Sequence, residues 1–395
     1  MDNRTNSERI YALDSLRAIM MLLGIVIHAS ITFGRIDYGT AWPIKDSSTS
    51  FAFDIIVSFI HSFRMPVFFV AAGFFGALLF YRKGPKKMLL NRFNRILLPF
   101  LAGVIIIYPL VFFAVVYSKS AIAGAPSPLT NAWNVLVSGQ FLPFNVIHLW
   151  FLYFLILFAF AGFVIAKLFN SDSTFTTSAN KLFTSILENF WYRLAVMSVL
   201  FFLCLFWIGR SSIATNNRWS IDPAIFVTYF LFFETGWVIF KTDCLNKLKG
   251  YPIAQLIAAT ILFLIYGLTP WPQSAGSLLA KQILASLFSS LFIFGFIALF
   301  MTYFNRYSPR LSYIMDAAYW VYIIHLPIVM FIPGLMAGMA LPAVLKFSIS
   351  FSGTSAICFI SYHYLVRGTF IGKFLNGKVH KQKKLPVANE LVLGS

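Results

Sequence analysis

The chain has 395 residues, of which 59% are apolar and only 11% are charged, against roughly 45–50% and 25% in soluble domains. A water-soluble fold of this length would need far more polar surface, so that class is excluded. The net charge of +18 points toward nucleic acid only until the charges are located along the chain.

The apolar residues fall in blocks of about 20, long enough to cross a ~30 Å hydrocarbon layer as helices. The short alternating segments of a β-barrel do not occur. The blocks lie at 18–33, 51–80, 96–117, 149–166, 194–209, 223–240, 252–268, 283–303, 316–337 and 343–365. The expectation is an all-α polytopic membrane protein with about ten transmembrane helices. The first block carries His28 and lacks a small-x-small cleavage site, so it reads as span one rather than a signal peptide. With the N-terminus inside, 23 of the 31 Lys and Arg fall in cytoplasmic segments, as the positive-inside rule requires. Arg35, Lys45, Lys119, Arg210, Arg218, Lys281 and Lys346 fall in the opposite loops, and Arg64 lies inside a span. Both termini are therefore expected in the cytoplasm and the spans in a cell inner membrane. The basic balance reports topology and contact with anionic phospholipids, and no nucleic-acid partner is expected.

Residues 1–366 read as one integral-membrane domain and 367–395 as a basic cytoplasmic tail of disordered composition. The connection 118–148 is either a short helix lying on the outer surface or a plain loop. Cys204, Cys244 and Cys358 make no disulfide framework. There is no zinc-binding helix motif, phosphate-binding Gly loop or Ser nucleophile elbow, so no metal is expected.

A charge at mid-bilayer costs roughly 2.5–3.5 kcal/mol on insertion scales, so polar residues inside the spans are the candidates for function. In YALDSLRAIMMLLGIVIHAS, Asp14 and Arg17 are three apart and can pair on one helix face. His28 follows Arg17 by eleven residues and returns to nearly the same face, about 16 Å further along. That places Arg17 at the inner boundary and His28 about halfway across. In FIHSFRMPVFF, His61 and Arg64 face together, and Pro66 frees a backbone carbonyl and kinks the helix beside Arg64. Asp54, on the same span, is one candidate partner for Arg64. Glu234 and Asp316 are counter-ions for Arg64 or Arg17, or contacts to substrate. His148 and Trp150 of HLWFLYF stand at the outer interface, where aromatic belts are common. His325 precedes Pro327 and is either a core hydrogen bonder or a substrate contact. From these residues alone, an enzyme and a transporter or flippase for an anionic metabolite stand level.

The run from Arg9 through LDSLRA to His28, then HSFRMPVFFVAAGFF, HLWFL and YWVYIIHLP, resembles the membrane-bound acyltransferase-3 family, in particular its glucan biosynthesis protein C branch. The resemblance implies an O-acyltransferase that carries an acyl group from cytoplasmic acyl-coenzyme A to hydroxyls of a glycan across the membrane. It implies functional roles for Arg17 and His28. That branch resembles enzymes that place succinyl groups on periplasmic glucans, so the acyl group is expected to be succinyl or acetyl. The mechanism these motifs suggest docks coenzyme A phosphates on Arg17 and on Arg82, Lys83, Lys86, Lys87, Arg92 and Arg95. His28 then acts as general base or as a covalent acyl carrier, and Arg64 or His61 stabilises the oxyanion. Asp14, His148, Trp150, Glu234, Asp316 and His325 are candidate substrate contacts. No tightly bound cofactor is implied, and oligomeric state is left open.

Overall fold

The computed structural model describes residues 10–169 and 174–377, and among them the regular structure is helical throughout. In chain order the helices are α1 (Tyr11–Ile31), α2 (Phe51–His61), α3 (Arg64–Lys83), α4 (Pro85–Arg92), α5 (Leu98–Ile122), α6 (Pro128–Val137), α7 (Trp150–Leu168) and α8 (Thr174–Glu188). They continue with α9 (Phe190–Ile208), α10 (Pro223–Lys241), α11 (Pro252–Leu268), α12 (Ala275–Tyr303), α13 (Pro309–Leu335), α14 (Ala343–Ser361) and α15 (Phe370–Asn376). Single π-helical turns join α4 to α5 and follow α14.

Among the described residues, nine helical segments are long and apolar enough to span a membrane, and α11, with 17 residues, is a shorter apolar one. Together they match the ten blocks read from hydropathy, and the chain is an all-α multi-pass membrane protein. Helix starts follow local chemistry. Pro85, Pro223, Pro252 and Pro309 open their helices, where a missing N–H leaves no bond unmade. The side chains of Asn189, Asp222 and Ser308 accept from backbone N–H groups of the first turns of α9, α10 and α13.

The second hydropathy block is two helices. The continuous apolar stretch Phe51–Lys83 breaks at Ser62 and Phe63, between α2 and α3. The residue four before Pro66 is Ser62, so its carbonyl is the one the proline leaves without an N–H. The Ser289 hydroxyl of α12 donates to that oxygen at 2.9 Å. The carbonyl freed at the break is thus met by a hydroxyl, and the break makes Arg64 the first residue of α3.

Helix α1 is central and packs on α2, α3, α12, α13 and α14. It runs antiparallel to α3: Arg17 lies over Phe75, whereas Arg64 reaches Met20. It runs parallel to α13, since Ala12 donates to Asn305 just before that helix and His28 meets His325 near its middle. We call the end at which α1, α12 and α13 meet Asn305 the basic face, and the other end the far face.

Helices α3 and α10 cross with their backbones touching. A Cβ on Gly73 would collide with the Phe233 carbonyl, and one on Gly236 with the Val70 carbonyl. Gly236→Ala is therefore expected to force the pair apart and destabilise by about 1–3 kcal/mol or more, read as a lower thermal midpoint in detergent. An unchanged midpoint would mean the crossing is looser than described.

The segment 118–148 contains a helix, α6, packed on α5. Its Leu129, Trp133 and Val137, spaced by four, are exposed and form one apolar stripe. The expected tail begins with α15, which packs on α13 and on the two π-helical turns. Residues 378–395 lie outside the described residues.

Candidate active site

Three histidines from three helical segments meet near the far face. His28 Nδ1 and His325 Nε2 are 2.9 Å apart, with the rings parallel and their centroids 5.0 Å apart. His148, in the turn that opens α7, sits edge-on to His325 at 5.5 Å. The backbone settles the protons. His325 Nδ1 faces the carbonyls of Tyr322 at 2.7 Å and Val321 at 3.1 Å, and carbonyl oxygens only accept. His325 therefore carries its proton on Nδ1 and offers Nε2 as an acceptor. His28 must donate through Nδ1, which leaves the lone pair of its Nε2 free.

His148 Nε2 likewise lies 3.1 Å from the Ile323 carbonyl and donates to it, while the Tyr322 hydroxyl donates to the His148 carbonyl at 2.7 Å. His148 Nδ1 is left buried with no hydrogen-bond partner. A buried acceptor of this kind costs about 1–3 kcal/mol unless a donor reaches it.

Arg64 lies one turn below His28. Its Nε donates to the Met20 carbonyl at 2.9 Å, and its terminal nitrogens make no hydrogen bond among the described residues. They pass beside Gly24, where an added Cβ would stand 2.9 Å from Nη2. Gly24 and His28 are four apart and share a helix face. Arg64 is within electrostatic range of His28, His148 and His325, and of the hydroxyls of Tyr229 and Tyr322.

The structure parts company with several expectations. His28 is in the last turn of α1, a helix that starts at Tyr11, seven residues before the hydropathy block. Asp54 does not pair with Arg64: its carboxylate accepts from the backbone N–H groups of Arg35 at 2.8 Å and Ile36 at 3.1 Å, capping the turn after α1. Neither Glu234 nor Asp316 forms an ion pair with Arg64. Glu234 lies on another face of α10, and the Asp316 carbonyl accepts from Asn376. His61 donates to the Ile213 carbonyl at 2.7 Å through Nε2. A neutral His61 has then spent its one donor, which leaves Arg64 as the free donor beside His28. Trp150 is buried against Phe69, Phe154 and Tyr229 and forms wall.

Sequence reasoning missed the cover over this cluster. Residues 32–50 fold back over the far end of α1, and Trp42 stacks on His28 with centroids 5.4 Å apart. The Trp42 indole N–H donates to Thr32 at 3.0 Å. Asp46 pins the same loop to Lys346 in the first turn of α14, with Nζ 2.9 Å from both carboxylate oxygens. Lys346, expected in a loop, is buried at 2% exposure, and Asp46 is buried with it. The available signal was a lysine three residues into an apolar block. Removing one partner of a buried pair typically costs 3–5 kcal/mol, whereas removing both is far milder. Lys346→Met is expected to lose about that much stability in thermal unfolding, and Lys346→Met with Asp46→Asn to recover most of it. Equal loss in both variants would show that packing, and not charge, holds the loop.

At the basic face, Arg17 pairs with Asp14 at 3.4 Å and lies over the Phe75 ring. Arg92 comes close enough to Arg17 for the two guanidiniums to repel. Arg92 Nε and Nη2 are buried with no acceptor among the described residues. The Arg95 carbonyl accepts from Tyr319 at 2.9 Å, holding this π-helical turn against α13. Arg82, Lys83, Lys86 and Lys87 are exposed. Arg17 at one end of α1 with Arg92 of α4 beside it, and a histidine dyad on α1 and α13 at the other end, suit a long anionic substrate bound lengthwise. Among the described residues no group of three or more His, Cys, Asp or Glu could hold a metal ion.

A family model described as an acyltransferase domain, of the acyltransferase-3 type, matches residues 10–363. The chain belongs to the acyltransferase-3 family. This acyltransferase-3 protein is also 27% identical over 348 residues to Glucans biosynthesis protein C of Escherichia coli O81 (strain ED1a), covering 83% of this chain and 84% of that one. The same figures hold for the protein of that name in Escherichia coli strain K12. No solved structure gives a significant match. Family membership favours acyl transfer over the transporter reading, and the match spans α1 to the π-helical turn after α14, which contains every residue of the histidine cluster.

Proposed function

We propose that the protein transfers an acyl group from acyl-coenzyme A, bound from the basic face, to a glycan hydroxyl that arrives from the far face. In this reading the basic face is cytoplasmic and the membrane is the cell inner membrane. The observation that carries the proposal is the His28–His325 hydrogen bond, because it leaves His28 Nε2 as a lone-pair base with a fixed ring orientation. Coenzyme A phosphates pair with Arg17 and with the buried, acceptor-less nitrogens of Arg92. Arg95 and the exposed Arg82, Lys83, Lys86 and Lys87 add attraction at the mouth. The pantetheine arm extends between α1, α3 and α13 and brings the thioester to Arg64.

His28 Nε2 removes the proton from the acceptor hydroxyl as its oxygen attacks the thioester carbon. The developing oxyanion is met by the terminal nitrogens of Arg64. Collapse breaks the C–S bond, and the sulfur leaves with the proton held by His28. His148 Nδ1 accepts a hydrogen bond from substrate, which removes its burial penalty. The name of the relatives makes glucans the first acceptors to test, with succinyl- and acetyl-coenzyme A as donors.

The test is release of free thiol by purified protein in nanodiscs, with and without a periplasmic glucan extract. Acceptor-dependent release is expected with one of the two donors. Arg92→Ala is expected to raise the KM for the donor about tenfold or more, with a smaller change in kcat, since a lost charged hydrogen bond is worth about 1.5–3 kcal/mol. Acceptor-dependent release with an unchanged KM in Arg92→Ala would move the donor site elsewhere.

A further inference from the structure

On the other side of α3 and α10 from the histidines lies a two-chambered cavity that acyl transfer does not use. Its inner chamber, about 510 Å³, is walled mainly by apolar side chains of α7, α9 and α10, among them Ile165, Met197, Leu200, Leu231 and Trp237, with α8 across it. Its outer chamber, about 810 Å³, is polar and bounded by Asn180, Lys181, Glu188, Tyr192, Lys241 and Thr242. Asn180 and Lys241 line both, so the two chambers adjoin there. The α8 helix supplies polar residues to the outer chamber and Phe183, Ile186 and Leu187 to the inner one. Glu234 opens into this cavity and not toward Arg64. It follows Tyr229 by five residues, about 140° around α10, and Tyr229 is the residue that faces Arg64.

Two residues that line the inner chamber each carry a buried polar atom without a hydrogen-bond partner, Arg193 Nε and Glu234 Oε1. Arg193 is only 3% exposed. It donates to the Leu187 carbonyl at 3.1 Å and lies between the rings of Phe190 and Phe294, which fixes Nε within the cavity wall. Unmet groups among apolar walls call for a guest that brings an acceptor part-way down. At the mouth, the carboxylate of Glu188 is held by Lys247, so Lys181 and Lys241 present positive charge to an occupant.

We propose that this cavity holds one membrane phospholipid with an anionic headgroup. Its phosphate sits between Lys181 and Lys241, an ester carbonyl accepts from Arg193 Nε, and one acyl chain fills the inner chamber. Glu234 Oε1 takes the water or hydroxyl that accompanies the ester region. The order of polar mouth, hydrogen-bonding waist and apolar end matches the order of groups along such a lipid. A detergent or a free anion would satisfy only part of it.

The test is native mass spectrometry of the full-length protein released from mixed micelles containing equal phosphatidylglycerol and phosphatidylethanolamine. Wild type is expected to retain one phospholipid per chain, with phosphatidylglycerol preferred about tenfold. Lys181→Glu with Lys241→Glu, both at the polar mouth, is expected to abolish that preference. Val238→Trp, which fills the inner chamber, is expected to lose the retained lipid of either kind. Retention and preference unchanged in both variants would overturn the site. Loss in Val238→Trp with the preference intact in the lysine variant would overturn the anionic headgroup. Retention of detergent alone by wild type would overturn the proposal as a whole.

Discussion

Replacing His28 with alanine is expected to lower acyl transfer by about 10²- to 10⁴-fold, the usual contribution of a positioned general base. The KM for the donor should barely move, because the arginines assigned to coenzyme A lie at the opposite end of α1, about 16 Å of helix away at Arg17. The fold should survive, since the His28 ring is half-buried and its one hydrogen bond is to His325. His325→Ala should show much of the same loss although His325 touches no reacting atom in this mechanism. It would free His28 to rotate and to exchange tautomers, as loss of the orienting partner does in triad enzymes. His325→Gln keeps an acceptor near the position of Nε2 and should restore part of the rate, which a merely structural role would not predict. If His28→Ala retained the wild-type rate, the mechanism would fail while the family assignment stood. The same lone pair could instead carry the acyl group. Intact mass measured after donor alone separates the routes: general-base chemistry leaves the protein mass unchanged, and an acyl-His28 intermediate adds one acyl group.

The spans were legible in the sequence because a membrane helix must satisfy its backbone internally and present about 20 apolar residues. What hydropathy could not see was discontinuity within a uniformly apolar run. Nothing in the composition of 51–83 distinguishes one helix from two; only Pro66 hinted at the break, and locating it took Ser289, 227 residues away. The start of α1 was hidden for the opposite reason. Asp14 and Arg17 are polar yet helical, so the hydropathy block begins seven residues after the helix does. Charged residues were legible as candidates and illegible as pairs. Lys346 and Asp46 are 300 residues apart, and His28 and His325 are 297 apart, so their pairing comes from packing alone. Spacing grouped Arg17 with His28 and His61 with Arg64, each within one span, and His28 was set beside Arg64 only by the mechanism that the family resemblance suggests. The assignment of Glu234 and Asp54 as partners of Arg64 counted charges without knowing which helix faces meet.

Arg64→Lys is expected to reduce the rate by about 10²- to 10³-fold, the range seen when one oxyanion donor is removed. Lysine keeps the charge but not the planar fork. Arg64 uses Nε to anchor on the Met20 carbonyl, and in the proposed mechanism its two terminal nitrogens face the reacting carbonyl. A single ammonium cannot both anchor and donate. Gly24 gives an independent handle on the same geometry, since it offers no chemistry of its own. An alanine methyl there would stand 2.9 Å from Nη2 and 3.3 Å from Cζ, tighter than ordinary contact, so the guanidinium must shift. Gly24→Ala should also add slightly to helix propensity in α1, so a loss of rate could not be assigned to a frayed helix. The expected loss is roughly tenfold, the sensitivity of near-attack geometry to sub-ångström displacement. Because both substitutions act on one guanidinium, the double variant should be little worse than Arg64→Lys alone, a coupling that a double-mutant cycle in kcat measures directly. Losses that multiply in the double variant would mean that Gly24 matters for another reason and that Arg64 is not placed by the face it passes across. Losses that fail to multiply would tie the close approach of α1 and α3, the break at Ser62 and the oxyanion donor into one device.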